Sequence, residues 1–442
     1  MKIGLLSLGC PRNLVDSEII LGSLKRKGHR IKDIADGVDA AIINTCGFIE
    51  IARQESVEAI LQLIDLKKKG AVKYIIVAGC LAQGYHKEIE AELEEVDAFV
   101  GTSDFNRIPE VIDALKSHER RSAVSKDLKY LANEKSPRYI LTPGHYAYIK
   151  ISEGCDNLCS YCIIPGLRGR LRSRTMESVV KEVQAVAGAT NVKEIDIIGQ
   201  DTTMYGADIY KKPRLHELLG KIARLKTGVR WIRLLYTHPA HYTDDLIATV
   251  AEEEKICKYL DLPIQHISDR ILKGMNRKVS KSDIVTLIDK LRSRIKGLAI
   301  RTSVIVGFPG ETDEDFSELI KFLKATKFER LGAFIYSREP GTSAHDFKGQ
   351  VDEKTKASRL DEVMRVQRDV SEEVNKKFMG KTEDVLIDEY VKSDGVFLGR
   401  TKADAPEVDG IVYVKGKGIK TGDIRKVKIM DTLEYDLVGE TV

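Results

Sequence analysis

Three cysteines in one short run are the side chains of this sequence best spaced for chemistry. Cys155, Cys159 and Cys162 follow the pattern C-x3-C-x2-C, and no fourth cysteine lies nearby. Structural zinc sites use four ligands, and electron-transfer ferredoxins close their cluster with a fourth cysteine. This loop triad therefore predicts a cubane iron–sulfur cluster in which one iron stays open to a substrate or cofactor.

Three further cysteines are predicted to meet in space although they lie far apart along the chain. Cys10, Cys46 and Cys80, here called the sheet triad, are separated by 36 and then 34 residues. Each follows a short apolar run, and helical patterns at 16–27, 50–69 and 85–96 predict βαβ units with a parallel sheet. The carboxyl ends of such strands share one edge, where ligand sites form. Three thiols at this edge predict a second cluster with an open iron.

A buried hydrophobic role is the alternative for each cysteine of the sheet triad taken alone, because free cysteine often packs in protein cores. Gly9, Gly47 and Gly79 flank the three cysteines, and glycine would let the backbone approach a bulky cluster. The seventh cysteine, Cys257, has no partner at metal spacing and is interpreted as a core thiol. An odd cysteine count and a start at Met1 without a signal-peptide pattern favour reduced thiols in the cytoplasm over disulfides.

Alternating strand and helix patterns predict the scaffold around the loop triad. The predicted strands span residues 146–152, 194–199, 231–236, 258–263, 299–308 and 331–337. The predicted helices span residues 176–187, 215–225, 244–254, 282–294 and 313–324. Six βα units predict a partial barrel rather than one of eight units, and the loop triad follows its first strand. Barrel chemistry lies at the carboxyl ends of the strands, so the triad falls on the functional face.

Four arginines follow the loop triad at alternate positions: Arg168, Arg170, Arg172 and Arg174. One interpretation is a solvated basic loop. The other is that one or two guanidinium groups bind the carboxylate of a cofactor or of an acidic substrate, because guanidinium pairs well with carboxylate in a bidentate manner.

The carboxyl-terminal part changes character. Residues 352–379 carry a charged amphipathic pattern that predicts a long helix packed on the barrel. Beyond it, short apolar runs and glycine turns predict a small antiparallel β-barrel. From residue 375 onward there are 12 Lys and Arg against 13 Asp and Glu. A nucleic-acid module usually has a basic excess, so this balance argues against nucleic acid as the substrate.

The loop triad, with Tyr161 directly before its last cysteine, resembles the signature of the radical S-adenosylmethionine superfamily. The segments 9–18, 44–49 and 79–83 around the sheet triad are similar to the amino-terminal domain of the methylthiotransferases, a family of radical enzymes with two clusters. The tail resembles the TRAM domain. Its segment 399–410 is similar to the branch of the family that modifies a ribosomal protein.

The resemblance implies an α/β chain of three domains: a parallel sheet domain over 1–120, a partial (βα)6 radical barrel over 140–370, and a TRAM-like β-barrel over 375–442. It implies two 4Fe-4S clusters, one on the loop triad and one on the sheet triad, together with S-adenosylmethionine. The expected cofactor contacts are Tyr161, Gly199, Gln200, Arg172, Gly307 and Gly310. No side chain is assigned as a catalytic acid or base.

The implied reaction is methylthiolation of the β-carbon of one aspartate in small-subunit ribosomal protein S-twelve. A deoxyadenosyl radical would remove a hydrogen atom, the second cluster would supply sulfur, and a second S-adenosylmethionine would supply the methyl group. The expected electron donor is a flavodoxin or ferredoxin. Nucleic acid is expected at most as a contact of the TRAM-like domain.

Two other functions stay open at this point: methylthiolation of an adenosine in transfer RNA, and a non-catalytic iron–sulfur electron carrier or redox-sensing RNA-binding module. The formal net charge of +4 commits the chain to no partner. No apolar run approaches the roughly 18 residues that a membrane span needs, so no membrane association is expected.

Overall fold

The computed structural model describes residues 1–442, and its first unit is a parallel sheet. Its strands are β1 (Lys2–Ser7), β2 (Arg30–Ile31), β3 (Val38–Thr45), β4 (Val72–Gly79) and β5 (Ala98–Val100). Its helices are α1 (Pro11–Arg26), α2 (Glu50–Lys68), α3 (Cys80–Glu92) and α4 (Ile108–Lys116). The strand order is β2-β1-β3-β4-β5, so β1, β3 and β4 are neighbours. β3 and β4 are nearly continuous apolar runs, as expected for strands buried on both faces.

The central unit is an open barrel of six parallel strands in the order β13-β12-β11-β10-β9-β6. Its strands are β6 (Tyr146–Lys150), β9 (Glu194–Ile198), β10 (Trp231–Leu234), β11 (Ile256–Asp261), β12 (Ala299–Val306) and β13 (Arg330–Ile335). A separate two-stranded ribbon carries the loop triad between its arms: β7 (Ser152–Glu153) and β8 (Arg172–Ser173).

Helices cover the outside of the central barrel and bury its largest apolar cluster. They are α6 (Met176–Ala189), α7 (Ala207–Tyr210), α8 (Leu215–Ala223), α9 (Asp244–Glu252), α10 (Asp269–Gly274), α11 (Lys281–Arg294), α12 (Asp313–Thr326) and α13 (Glu353–Asn375). The short helix α5 (Ile164–Arg168) contacts α3 of the first unit instead. The long helix α13 packs its valines into this cluster, as its amphipathic pattern predicts.

The last unit is a closed five-stranded barrel in the order β14-β15-β16-β18-β17. Its strands are β14 (Thr382–Val391), β15 (Val396–Arg400), β16 (Val412–Lys415), β17 (Ile424–Thr432) and β18 (Leu437–Thr441). Four of its pairings are antiparallel, and β16 pairs with β18 in parallel. The α/β architecture with a small terminal β-barrel confirms the predicted fold class.

The loop between β15 and β16 docks the C-terminal barrel against the amino ends of the central strands. Asp404 pairs with Arg330, the first residue of β13, at 2.5 Å. Glu407 accepts a hydrogen bond from the Tyr146 hydroxyl on β6 at 2.8 Å, and Asp409 accepts one from Tyr259 at 2.6 Å. The C-terminal barrel therefore covers the end of the central barrel opposite the loop triad.

Three details differ from the sequence expectation. The helix predicted over 85–96 ends at Glu92 and is preceded by a first helical piece from Cys80, which joins it at a kink at Tyr85; this first piece starts there because Gly79 turns the chain directly out of β4 with φ of +94°. The strand predicted over 146–152 divides into β6 and β7, and the last strand, which the sequence pattern predicts over 432–438, spans Leu437–Thr441. None of the helices combines the length and the apolar character that crossing a bilayer requires.

Candidate functional site

The sheet triad lies at three adjacent strand ends. Cys10 lies three residues after the end of β1 and is the N-cap of α1. Cys46 follows β3 directly, and Cys80 is the first residue of α3 after β4. A methyl group added at Gly9 would lie 3.3 Å from the Cys46 sulfur, so the Cys10 turn packs directly on Cys46. The convergence that the βαβ pattern predicted is therefore present in the fold.

Two side-chain amides and one hydroxyl connect these three strand ends by hydrogen bonds. Asn13 donates to the carbonyl of Thr45 at 2.9 Å, and Asn44 donates to the carbonyl of Asn13 at 2.8 Å. Thr45 in turn donates to the carbonyl of Ala78 at 2.5 Å. Because buried backbone carbonyls need partners, these bonds fix the positions of the cysteine-bearing turns relative to one another.

The loop triad is held by backbone contacts to the far side of its ribbon and to the barrel. The amide of Cys155 donates to the carbonyl of Gly169 at 3.1 Å, and the amide of Ser160 donates to the carbonyl of Met275 at 3.1 Å. Gly154, directly before the triad, has φ of +73°, a conformation that residues with a side chain rarely adopt.

Gly154→Ala is expected to disorganise the loop triad. The added methyl carbon would lie 2.0 Å from the carbonyl oxygen of Arg170, which is backbone and cannot swing away, and positive φ adds about 1–2 kcal/mol. We expect the iron content of the reconstituted protein to fall by about half, measured by colorimetric iron analysis. Gly188→Ala, in open space on α6, is the matched control and should bind iron like the wild type. Full iron content in Gly154→Ala would contradict the prediction.

A cavity of about 190 Å³ joins the two domains at the carboxyl ends of the central strands. The whole loop triad lines it, together with residues that follow β9, β10 and β11. Two side chains of the N-terminal unit also line it, Arg12 from the turn after Cys10 and Phe48 from the turn after Cys46. The loop triad therefore shares this cavity with two residues that lie beside Cys10 and Cys46, although no cysteine of the sheet triad lines it.

Buried polar atoms without protein partners line this cavity. The carbonyl oxygen of the Gln200 side chain, Nε2 of His238 and Nε of Arg277 make no hydrogen bond in the structure. Such atoms are costly unless a ligand or water satisfies them. A polar cofactor such as S-adenosylmethionine fits this lining.

The donor sets of the triads fit iron–sulfur clusters, which cysteine thiolates bind. Each triad has nitrogen donors aimed at its sulfurs, the kind of hydrogen bond that cluster sites use to tune potential. The donors are Arg12 to Cys10 at 3.3 Å, Arg168 to Cys80 at 3.4 Å, Asn157 to Cys155 at 3.5 Å and Arg277 to Cys159 at 3.6 Å.

Burial and neighbouring charges shift the pKa values of the cysteine thiols in different directions. Burial alone would raise the pKa of Cys10, but the Arg12 guanidinium overcomes it and leaves that pKa below the ordinary value. Burial raises the pKa of Cys46 to about 11, of Cys155 to about 11 and of Cys162 to about 12. These buried thiols would become thiolates only with a strong compensating cation, which iron supplies.

A buried network of charges joins the sheet triad to the central barrel. Arg168 pairs with Asp16 of α1 at 2.6 Å and with Glu153 at 3.1 Å, and Lys150 pairs with the same two carboxylates. Arg168 also donates to Asn13 at 2.5 Å. Two cations and two anions balance, so the network locks α1 onto the barrel without a stranded charge.

The four arginines after the loop triad therefore divide in a way that the sequence did not indicate. Arg168 and Arg174 are buried in ion pairs with Asp16 and Glu182, and Arg170 pairs at the surface with Asp156. Neither of the two sequence interpretations describes Arg168 and Arg174, because both are buried and pair with carboxylates of the chain itself.

The expected cofactor contacts fall into two groups. Tyr161 and Gln200 line the cavity. Gly199 lies beside Gln200, where an added side chain would meet the Ser152 hydroxyl. The other three lie outside the lining of the cavity: Arg172 folds back onto the carbonyls of Arg168 and Arg170, Gly307 donates to Glu311, and Gly310 donates to Gly349.

The sequence did not single out four side chains that the structure brings to the loop triad or the cavity. They are Arg12, Asn157, His241 and Arg277. Arg12 and Asn157 each lie two residues from a cysteine, which is a usable signal. Arg277 reaches the Cys159 sulfur from 118 residues away, between Asn276 and Lys278 in left-handed backbone conformations, and no local pattern marks it.

Three family profiles match successive parts of the chain. Residues 2–101 match Uncharacterized protein family UPF0004, residues 149–323 match the Radical SAM superfamily, and residues 379–442 match the TRAM domain. Together they cover the three units of the fold.

Curated relatives match the chain over its full length. Ribosomal protein uS12 methylthiotransferase RimO of Clostridioides difficile (strain 630) is 47% identical, over 100% of this chain and 99% of that protein. The protein of the same name from Desulforamulus reducens is 47% identical over 99% of both chains. That of Citrifermentans bemidjiense is 46% identical over 100% of this chain and 98% of that protein.

Solved structures share the fold at low identity. The radical S-adenosylmethionine methyltransferase TsrM of Kitasatospora setae, with cobalamin and a [4Fe-4S] cluster bound, superposes with a TM-score of 0.57 at 14% identity, over 87% of this chain and 80% of that chain. The cobalamin-dependent radical enzyme OxsB gives 0.52 at 10% identity, over 83% of this chain and 56% of that chain. At these identities the likeness concerns the fold alone.

Proposed function

The chain belongs to the ribosomal protein uS12 methylthiotransferase family, and we propose that it methylthiolates the β-carbon of an aspartate in that protein by a radical mechanism. It is a radical S-adenosylmethionine enzyme that uses iron–sulfur chemistry. One observation supports separate but cooperating roles for the two triads: the loop triad shares its cavity with Arg12 and Phe48, which lie in the turns of the sheet triad.

We assign one 4Fe-4S cluster to Cys155, Cys159 and Cys162 and a second to Cys10, Cys46 and Cys80. When bound, the two clusters and S-adenosylmethionine supply the electron, the hydrogen-abstracting radical, the sulfur and the methyl group. The residues of the chain bind and orient these groups. Tyr161, Gln200 and Arg277 are placed to hold the cofactor beside the loop triad, since each lines the cavity with polar atoms.

The chain also shields the reaction from water. The sheet triad lies where α1 is locked to the central barrel by Arg168, and Cys80 is buried. The docked C-terminal barrel covers the opposite end of the central barrel through Asp404 and Asp409. A reactive carbon formed in the cavity is therefore shielded from solvent by the C-terminal barrel and by the N-terminal unit.

The partners follow from the substrate. Ribosomal protein uS12 has to present its aspartate at the cavity, and a flavodoxin or ferredoxin is the proposed source of electrons for the loop triad. Nucleic acid is proposed only as a contact of the C-terminal barrel, where nine exposed lysines lie on and beside the barrel. We place the reaction in the cytoplasm, because six reduced thiols are required and a reducing compartment keeps them so.

Anaerobic assay of the reconstituted enzyme with purified uS12 tests the proposal. Mass spectrometry should find a mass increase on one aspartate that corresponds to replacing hydrogen by a methylthio group. Iron analysis should give about eight irons per chain if there are two four-iron clusters. An unmodified uS12 together with a modified transfer RNA would favour the other branch of the family, and about four irons per chain would overturn the second cluster.

A further inference from the structure

Arg12 is the one guanidinium that lies between the two triads. Its Nε donates to the Cys10 sulfur at 3.3 Å, and its guanidinium carbon lies 4.4 Å from the centre of the Tyr236 ring, across the domain boundary. Its charge also acts on Cys46 of the sheet triad and on Cys162 of the loop triad. The residue lines the shared cavity and remains partly exposed.

The two terminal nitrogens of Arg12 have no partner in the protein. Arginine carries five N–H donors, and the only hydrogen bond of the Arg12 side chain is the one from Nε to Cys10. No carboxylate lies within ion-pair distance of it. The other cation of the cavity, Arg277, is committed to the carbonyl of Pro263 at 2.5 Å and to the Tyr161 hydroxyl at 3.4 Å. Arg12 is thus the cation of the cavity whose terminal N–H donors are free.

The proposed reaction requires a substrate carboxylate inside the cavity. A carbon that is opened beside one triad and sulfurated beside the other has to lie between them. In aspartate the β-carbon is joined to the carboxylate by a single bond of about 1.5 Å. The carboxylate is therefore carried into the cavity with the reacting carbon, and a charge taken from water needs a cation with matching donors.

We propose that Arg12 binds the carboxylate of the target aspartate through its terminal nitrogens, and that this contact selects an acidic residue for methylthiolation. The inference rests on the proposed function. The Nε bond to Cys10 and the stack on Tyr236 hold the guanidinium plane, and the terminal nitrogens stay without a protein partner at the edge of the cavity. A bidentate contact there would orient the neighbouring β-carbon as well as identify the residue.

Peptide binding by the loaded, unreduced enzyme tests this without turnover. Fluorescence anisotropy would compare a labelled uS12 peptide that carries the target aspartate with the same peptide carrying asparagine. Wild type should prefer the aspartate peptide by roughly tenfold to a hundredfold, the value of one charge-assisted contact. Arg12→Gln should bring the ratio close to one, whereas Arg12→Lys should keep part of the preference.

Arg121→Gln is the matched control, an exposed arginine outside the site, and should keep the full preference. Iron analysis of each variant separates loss of the carboxylate contact from loss of the cluster next to Cys10. An Arg12→Gln enzyme that keeps both its iron and the wild-type preference would overturn the inference, and so would a wild type that binds both peptides equally. Failure of wild type to modify uS12 would overturn the proposed function instead.

Discussion

Replacing Cys155, Cys159 and Cys162 together with alanine should abolish formation of deoxyadenosine from S-adenosylmethionine. These three sulfurs line the cavity that holds the cofactor contacts, and no other cysteine lines it. Without them the cofactor has no source of the electron that cleaves it. The variant should still bind about four irons at the sheet triad, half of the wild-type content. Chromatography of deoxyadenosine after anaerobic reduction measures the first result, and iron analysis measures the second.

The triple variant Cys10, Cys46 and Cys80 to alanine is the matched comparison, with the same number and kind of changes. It should also keep about four irons, but it should still form deoxyadenosine and should leave uS12 without a methylthio group. The two variants thus separate radical formation from sulfur delivery. Deoxyadenosine formation by the loop-triad variant, or methylthiolation by the sheet-triad variant, would refute the assignment of the corresponding cluster.

The scaffold of both triads was predictable because it depends on local patterns. Buried parallel strands are continuous apolar runs, and the six central strands were found within a few residues of their observed ends. The sheet triad was predictable for a related reason. Consecutive βαβ units place strand ends side by side, so the meeting of Cys10, Cys46 and Cys80 needed no knowledge of long-range contacts.

The environment of the triads was not predictable in the same way. Arg168 looked like one of four equivalent arginines, yet its partner Asp16 lies 152 residues earlier in the chain. Arg277 is likewise joined to Cys159 across 118 residues. Which arginine of a basic loop is buried depends on the carboxylate that the other domain presents, and no spacing rule carries that information.

The charge of the C-terminal barrel shows how a count can mislead. Its acidic and basic residues nearly balance along the sequence. In the structure Asp404 and Asp409 are turned into the central barrel, whereas nine lysines from residue 376 onward are exposed against six exposed carboxylates. The solvent-facing surface is therefore more basic than the composition, because the docking loop uses acids to bind arginines of the barrel.

Glu194→Gln should destabilise the protein by about 3 to 5 kcal/mol, the usual cost of stranding a buried charge. Glu194 is fully buried at the start of β9 and pairs with Arg233 at 2.7 Å and with Arg400 of the C-terminal barrel at 2.8 Å. Arg400 also pairs with Asp388 at 2.8 Å. Burial and the charge of Glu194 raise the pKa of the neighbouring Asp196, which lies 3.6 Å from Arg233, far above its usual range. Removing the charge of Glu194 leaves Arg233 and Arg400 without the carboxylate that they share.

Urea unfolding followed by fluorescence of Trp231 is the direct measurement. Trp231 is the only tryptophan of the chain and packs in one apolar cluster with Leu386 and Ala405 of the C-terminal barrel. Its signal therefore reports both unfolding and undocking of that barrel. Glu372→Gln, which breaks an exposed pair with Lys376, is the control and should leave the unfolding midpoint unchanged.

The effect of Glu194→Gln should also depend on pH. Burial alone would raise the pKa of Glu194, but Arg400 and Arg233 hold it below the ordinary value of 4.5. As the pH falls below about 4.5 the unfolded chain takes up a proton at this position before the folded one does, so the stability that Glu194 contributes is lost in acid. The difference in unfolding free energy between wild type and variant should have its full size at neutral pH and should shrink below about pH 4.5. A difference that stays constant into acid would mean that the glutamate acts through its shape rather than its charge.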